Sequence, residues 1–541
     1  MCELIDTTPL TSIFGRDTKY ITLSYCAGDP GQTTEIIVNG FIFNAFSNLE
    51  HSLECVRNYW VQHSHEDLLI WTDQVCINQS DYREKSHQVD MMGEIFKGSW
   101  QTFACLSTAS IKSSLPIPPD LKILQSYLAD RWPSEVPRRT IQQDGSSDIN
   151  GTHNSYQSTI VSVWQGLRLI SELVRAPWWT RAWVFQEIIL PLRVSVLYHG
   201  FCCHWPDISP MIYCLCKHQY DIIQSLDDFA KAQEEHLQKV REEQRSKRRS
   251  AFDLFAEVDR THRVPSGYFY PAYSTKPLHL ELSGEQLAAA SYTISAKRNW
   301  RGSYDLRIIV ENMHKFLAKD PRDLVYAFLG LMGPEWGLKS DYSPEITLQH
   351  VLVRITSCLI LNEDRLDTLV DATRRKGKFG FQLPSWVPDW TAPRSPAMQP
   401  PPELRNSVRK FRASKLTKAG ALFLPHQGEK LYVHLQVTGI EGDTLSEIER
   451  GTYDDIVYFH SSGGRTIITS PSAQEGDTLW VIRGADPVFV LRHKENSCYV
   501  LITTAFVIDS GEPVKFSPIM NGELIDRADS GEVTDRAICL I

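Results

Sequence analysis

The 541-residue chain has no surplus of positive charge: 56 Lys and Arg stand against 65 Asp and Glu, a formal net charge of −9. A chain built to wrap a polyanion needs a basic surplus or a basic face, so nucleic acid is not an expected partner. No run of about 18 uncharged apolar residues occurs, and no membrane span is expected. The opening, Met1-Cys2-Glu3-Leu4-Ile5-Asp6, lacks a basic region ahead of an apolar run, so no secretory signal is expected. The twelve cysteines are scattered without a repeated framework. These absences together predict a cytoplasmic protein with reduced thiols. They also leave the sequon Asn150-Gly151-Thr152 as a chance match. A Walker A loop, a Rossmann glycine fingerprint, a metalloprotease helix motif and internal repeats are all lacking.

What is present is an ordinary globular mixture, 42% hydrophobic and 22% charged, in a chain too long for one core. Tyr20 to Tyr25 alternates β-favouring residues and ends at the turn Gly28-Asp29-Pro30-Gly31. Glu35 to Phe43 reads as a hairpin around Asn39-Gly40, a dipeptide that tolerates positive φ. A helix is expected from about Asn48, with Leu49, Leu53, Val56 and Tyr59 at helical spacing. Leu68 to Trp71 reads as a short buried strand, Arg83 to Lys97 as a helix, and Phe103 to Leu106 as another strand. Strands alternating with helices in this way predict a parallel sheet flanked by helices.

From Ser107 to about Ser158 the chain is rich in Ser, Pro, Gly and Asp and reads as a flexible insertion. Helical pattern returns over Val161 to Val174 and again through Glu187, and Val194 to Tyr198 reads as a strand. Asp227 to Val258 is expected to be a long charged helix. Its run Arg241 to Arg249 is interleaved with glutamates, which favours a solvated helix face over a nucleic-acid patch. Helices are also expected over Leu306–Leu317, Asp323–Leu331 and Leu348–Leu361, before a Pro-rich passage from Pro384 to Pro402. Leu431 to Phe516 carries short β-type runs, the pattern of a small antiparallel barrel or sandwich. The expected division is 1–200, with the insertion at about 107–158, a mainly helical 201–425, and a β-rich 426–541.

The run Trp71-Thr72-Asp73-Gln74-Val75-Cys76-Ile77-Asn78-Gln79, continued by Asp81, Glu84-Lys85, Gln88-Val89, Met92 and Ile95-Phe96, closely resembles the central motif of the fungal heterokaryon-incompatibility (HET) domain family. Tyr20 to Pro30 resembles the family's first block, and Pro177-Trp178 with Arg181, Trp183, Gln186 and Glu187 its third. Asp320 to Leu331, Asp341-Tyr342-Ser343, Leu383 to Trp390, Gly484-Ala485 and Leu491-Arg492 resemble segments that follow the domain in full-length members. Two positions depart from the family pattern: Ala27, where Trp is usual, and Ser107, where the block usually closes on Gly.

HET domains are distantly similar to TIR domains, so the resemblance implies a TIR-like or flavodoxin-like parallel sheet. It implies a cytosolic effector of incompatibility, in which non-self recognition triggers programmed cell death. A protein partner or self-association through the HET domain would accompany that role. The alternative it carries is enzymatic: a glycohydrolase of NAD or another nucleotide, or an enzyme recruited to secondary metabolism, to which the altered Ala27 and Ser107 would fit. Trp183 and Glu187 stand four apart, as around the TIR glutamate that cleaves the nicotinamide–ribose bond, making Glu187 the candidate catalytic carboxylate. Asp73 lies just beyond a strand's C-terminal end, at the mouth of the same expected crevice, and is the second catalytic candidate. Ser24, Gly28, Asn78, Gln79, Arg181 and Trp183 are the ligand-binding candidates, with NAD a possible substrate and no metal expected.

Structural readings stand beside these. Trp178 and Trp183 suit a core, Glu187 could simply pair with Arg181, and Asn78 and Gln79 could satisfy loop backbone. Asp81 and Glu84, at i and i+3, read as a capping box. Cys76 with His87 and Asp73 would make a nucleophile, base and orienter, but Cys76 between Val75 and Ile77 suits an inert buried thiol. Cys202-Cys203-His204 and Cys214-Leu215-Cys216 with His218 lack the usual zinc spacing.

Overall fold

The structure, a computed structural model, describes residues 19–64, 67–110, 121–137, 155–252, 284–375, 383–398, 412–425, 432–450, 456–509 and 515–541, with Leu282 and Gly377. Contacts gather the chain into two units, Met1–Cys76 with Ile95–Trp300, and Ile77–Glu94 with Arg301–Ile541.

The first unit opens with β1 (Ile21–Tyr25), every residue of which is buried. The Asn39-Gly40 hairpin forms as expected, joining β2 (Thr33–Val38) to β3 (Phe41–Phe46), with φ of 52° and 81° at the two turn residues. Helix α1 (Ser47–His63) follows, then β4 (Ile70–Trp71) and a single helical turn, α2 (Asp73–Cys76). The chain passes through the second unit and returns within α3 (Tyr82–Gly98) to form β5 (Gln101–Cys105). Next come α4 (Leu121–Arg131), α5 (Ser155–Arg175), a 3₁₀ turn (Pro177–Thr180) and α6 (Ala182–Ile189). Strands β6 (Val194–Tyr198) and β7 (Phe201–His204) are joined through His199 and Gly200, both at positive φ, and lead to α7 (Trp205–Phe252) and α8 (Gly284–Asn299).

The sheet order is β4-β1-β5-β6-β7, with the first three pairings parallel and β6–β7 antiparallel. The first-formed strand β1 thus lies between the second and the third, so the winding reverses between β1 and β5. In open α/β sheets, that reversal is where a crevice opens at the strands' C-terminal ends.

Side chains alternate across β1 and β5. Ile21, Leu23, Tyr25, Phe103 and Cys105 join Leu49 and Val56 of α1 in one core. Thr22, Ser24 and Ala104 therefore face the other way, where the Thr22 and Thr102 hydroxyls bond at 2.6 Å and Ser24 meets the 3₁₀ turn and α6.

Three expectations need correction. The segment read as a flexible insertion holds a helix, α4, because Leu124, Leu128 and Ala129 form a buried stripe and Leu124 packs at Gly166 of α5. The charged helix begins after a kink at His218 (φ −126°, ψ 25°), somewhat before Asp227, and a separate helix runs from Trp205 up to that kink. Half of the capping box forms: Asp81 Oδ1 accepts from the amides of Arg83 (2.8 Å) and Glu84 (3.2 Å), but Glu84 reaches the Asn78 amide at 3.0 Å rather than that of Asp81. Residues 111–120, 138–154 and 253–258 of these readings lie outside the described residues.

In the second unit, the early part of α3 buries Val89 and Met92. Ser340 donates from its amide (2.8 Å) and its hydroxyl (2.9 Å) to Asp90, and the Lys85 ammonium lies 4.0 Å from the centre of the Tyr342 ring. Helical segments α9 (Leu306–Asn312), α10 (Asp323–Tyr326), α11 (Leu348–Glu363) and α12 (Thr368–Arg374) follow. Arg322 chelates Asp320 and bonds the carbonyls of Ser343 (3.1 Å) and Ile346 (2.9 Å), tying two of the family-like segments together.

The C-terminal region is β-rich and antiparallel, as expected, apart from one short parallel pairing of Cys498 and Tyr499 with Cys539 and Leu540. It comprises β8 (Leu422–Pro425), β9 (Tyr432–Arg450), β10 (Val457–Ser461), β11 (Thr466–Thr469), β12 (Thr478–Ile482), β13 (Val488–His493), β14 (Cys498–Asp509), β15 (Lys515–Phe516) and β16 (Arg536–Leu540), with helix α13 (Glu523–Asp529). Antiparallel pairings β9–β10–β11–β14–β13–β12–β9 close into a ring. Phe459, Ile467, Val481, Val490 and Val507 belong to its buried core.

Candidate functional site

Ser24 is the penultimate residue of β1 and completely buried, so its hydroxyl needs partners within the protein. It has two. The indole N–H of Trp178 donates to Ser24 Oγ at 2.9 Å, and the Ser24 hydroxyl donates to Glu187 Oε2. Trp178 comes from the 3₁₀ turn that Pro177 starts, and Glu187 from α6, whose apolar residues Val184, Phe185, Ile188 and Ile189 are buried around it. Trp178 is fully buried, as its core reading expects.

Glu187 is 4% exposed, a burial that disfavours its charged form. Burial pushes its carboxyl above the usual carboxylate range and Asp73 adds to the rise, while Arg181 and the Ser24 hydroxyl pull it back. Arg181 Nη1 lies 3.7 Å from Glu187 Oε2. That nitrogen is buried and makes no hydrogen bond among the described residues, so the two charges face each other without closing a hydrogen-bonded pair. Burial, the largest single influence, works against the Arg181 charge, but Glu187, Cys26, Asp73 and Tyr25 together outweigh it and the guanidinium is held above its ordinary value.

Asp73 opens α2 immediately after β4. Its Oδ1 accepts from the Tyr25 hydroxyl at 3.0 Å and from the Gln74 amide at 2.7 Å. Burial first, and the Asp73 charge second, hold the Tyr25 phenol well above its ordinary value, so Tyr25 stays a donor. Gly28 lies in the loop after β1 at φ +79°, and a Cβ there would meet Asn48 Nδ2 at 2.5 Å. Asn48 Oδ1 in turn accepts from the Ala109 amide at 2.9 Å, so the loops beyond β1 and β5 are tied to the start of α1.

The structure thus brings Ser24, Arg181 and Glu187 together, with the Asp73 charge near enough to act on both Arg181 and Glu187, and with Gly28 shaping the adjacent loop. Trp183 is half-buried on α6. Asn78 and Gln79 are exposed and belong to the second unit, where Asn78 Oδ1 accepts from the Ser80 amide at 3.1 Å. Burial pushes the Cys76 thiol up, away from the thiolate a nucleophile needs. Tyr25 and Trp178 were not among the sequence-derived site residues. Tyr25 was legible only as a strand residue and Trp178 only as core, because their bonds run to residues 48 and 154 positions away.

A second polar group was not anticipated at all. On the α1 face of the sheet, His51 Nε2 lies 2.9 Å from Ser107 Oγ and 3.6 Å from Cys55 Sγ, and Cys105 Sγ lies 3.5 Å from Ser107 Oγ. Hydrogen bonding from Cys55 brings the Cys105 thiol down to about 7 against the effect of burial, and the same contact drives Cys55 up. Burial lowers His51 and His199, favouring the neutral imidazole.

Residues 20–187 match the family described as Heterokaryon incompatibility protein (HET). The chain is similar to Heterokaryon incompatibility protein 6, OR allele, of Neurospora crassa, at 23% identity over 404 residues. The match covers 69% of this chain and 53% of that protein, so the chain spans about half the length of its curated relative. No solved structure matches. The Ser24–Glu187 group falls inside the matched segment, and residues 20–187 are a heterokaryon-incompatibility domain.

Proposed function

We propose that this HET domain is a cytosolic effector of an incompatibility response, acting as a TIR-like hydrolase of NAD or a related nucleotide with Glu187 as its carboxylate. The observation that carries the reading is the buried Glu187 set against Ser24 at the C-terminal end of β1, facing Arg181 across 3.7 Å. The reversal of winding beside β1 supports a ligand crevice there. The relative's name supports the incompatibility role.

In the reaction, the bond between ribose C1′ and the pyridinium nitrogen breaks and its electron pair leaves with neutral nicotinamide. The sugar becomes oxocarbenium-like, and the Glu187 carboxylate stabilises that charge. Water then adds to C1′ and gives up a proton. A carboxyl with an upward-shifted affinity for protons suits the task of general base. Asp73, with Tyr25 as its donor, and Arg181 would orient the ligand. Self-association through the domain would have apolar surface available on the β2–β3 hairpin, where Phe41 is 77% and Ile42 69% exposed.

The test is expression of the chain and of Glu187→Gln in a fungal host, reading growth and cellular NAD. Growth arrest with NAD loss, both absent in the variant, is expected. Toxicity that survives the substitution overturns Glu187 as the catalyst. Harmless expression of the unaltered chain with constant NAD overturns the effector reading and favours a recruited metabolic enzyme.

A further inference from the structure

Among the described residues, one group of three metal-ligating side chains brings its ligand atoms within 4.8 Å of one another: His51, Cys55 and Cys105. We propose that these residues form a binding site for a zinc-class divalent cation, distinct from the Glu187 group and on the opposite face of the sheet.

The positions follow from two elements. His51 and Cys55 are four apart on α1, so their side chains project from one face of the helix. Cys105 ends β5, paired with Tyr25 and pointing toward α1 with the core residues of that face. Tetrahedral zinc holds sulfur at about 2.3 Å and imidazole nitrogen at about 2.0–2.1 Å, which sets a sulfur-to-nitrogen separation of roughly 3.6 Å. Cys55 Sγ and His51 Nε2 are 3.6 Å apart. Two thiols and an imidazole are the donors that select a borderline-soft ion over calcium or magnesium.

The Ser107 hydroxyl lies beside the group, 2.9 Å from His51 Nε2 and 3.5 Å from Cys105 Sγ. Ser107 is one of the two positions at which this chain departs from the family pattern. His199 is a neighbour: its ring centre is 5.9 Å from that of His51, and its Nε2 is buried with no hydrogen-bond partner among the described residues. A site with three protein ligands keeps a fourth position for solvent. Binding replaces the thiol protons with the cation and releases them.

The test uses the full chain purified without metal and titrated with Co²⁺ as the probe. Expected are a thiolate-to-cobalt charge-transfer band saturating at about one equivalent, its displacement by Zn²⁺, and a rise in unfolding temperature with either ion. Cys55→Ser and Cys105→Ser should each abolish the band, while Cys203→Ser leaves it intact. Circular dichroism establishes that each variant is folded, and Cys55→Ser, at a half-buried helix position, serves if the buried Cys105→Ser variant is not. A chain with no charge-transfer band, a band that survives in folded Cys55→Ser, or a band lost in Cys203→Ser overturns the site. So does isolation of the reduced-handled protein with Cys55 and Cys105 joined as a disulfide.

Discussion

Ser24 is small enough to sit in a fully buried strand and polar enough to link two groups from elsewhere in the chain. Replacing it with alanine leaves the Trp178 indole N–H and the Glu187 carboxyl each short of a partner. Ser24→Ala is therefore expected to cost about 1–3 kcal/mol, read from denaturant midpoints, and to raise the Glu187 pKa further, because the Ser24 hydrogen bond lowers it. The same carboxyl links stability to pH. Its folded pKa is raised, so the folded state holds the Glu187 proton over a range in which the unfolded chain has lost it. That contribution to stability is fully present below the ordinary glutamate value of about 4.3, and is lost as pH rises through the raised folded value. Glu187→Gln cannot titrate, so the fall in stability across that window should flatten in the variant. A slope unchanged by the substitution contradicts the assignment. In the second unit, Asp371 is 2% exposed and lies 3.5 Å from Arg375 and 3.0 Å from Arg394. Asp371→Ala, by leaving buried positive charge uncompensated, is expected to cost about 3–5 kcal/mol in the same measurement.

Among the elements, the loop after β1 has the least freedom. Gly28 takes φ +79° with Asn48 against it, so Gly28→Ala should destabilise by about 1–3 kcal/mol and loosen the Asn48 bond to Ala109. Amide exchange at Ala109 reports that loosening. The β2–β3 hairpin offers a test of self-association: if it carries that contact, Phe41→Asp lowers the sedimentation coefficient of the assembled form toward that of a single chain. Elements whose signal is local were legible in the sequence. Asn39-Gly40 specifies its hairpin by backbone freedom, and β1, α1, α3, β5, α6 and β6 follow the apolar spacing of their own residues. Helix α4 was missed because three buried apolar residues are diluted in a Ser- and Pro-rich stretch. The helix from Trp205 to the kink at His218 was obscured by Pro210, which ordinarily ends a helix but is accommodated inside this one.

For the whole molecule, the motif that identified the family divides between two structural units. Trp71 to Cys76 belong with the α/β sheet, while Ile77–Glu94 belong with Arg301–Ile541. The stripe of Val89 and Met92 announced that α3 is buried, but its partners, such as Ser340 on Asp90, lie some 250 positions away and leave no periodic trace. A chain ending at Trp300 should consequently show faster amide exchange across residues 82–94 than the full chain. The candidate site was legible to a similar degree: spacing and resemblance singled out Glu187, Arg181, Asp73 and Ser24, whereas the His51–Cys55–Cys105 group depends on a strand and a helix meeting. The most direct test of the central claim is turnover of NAD by the purified full chain beside Glu187→Gln, with release of nicotinamide as the readout. The account predicts nicotinamide release by the unaltered chain and a loss of at least about 100-fold in the folded variant, the scale of a positioned catalytic carboxylate. Equal release by both proteins would contradict it.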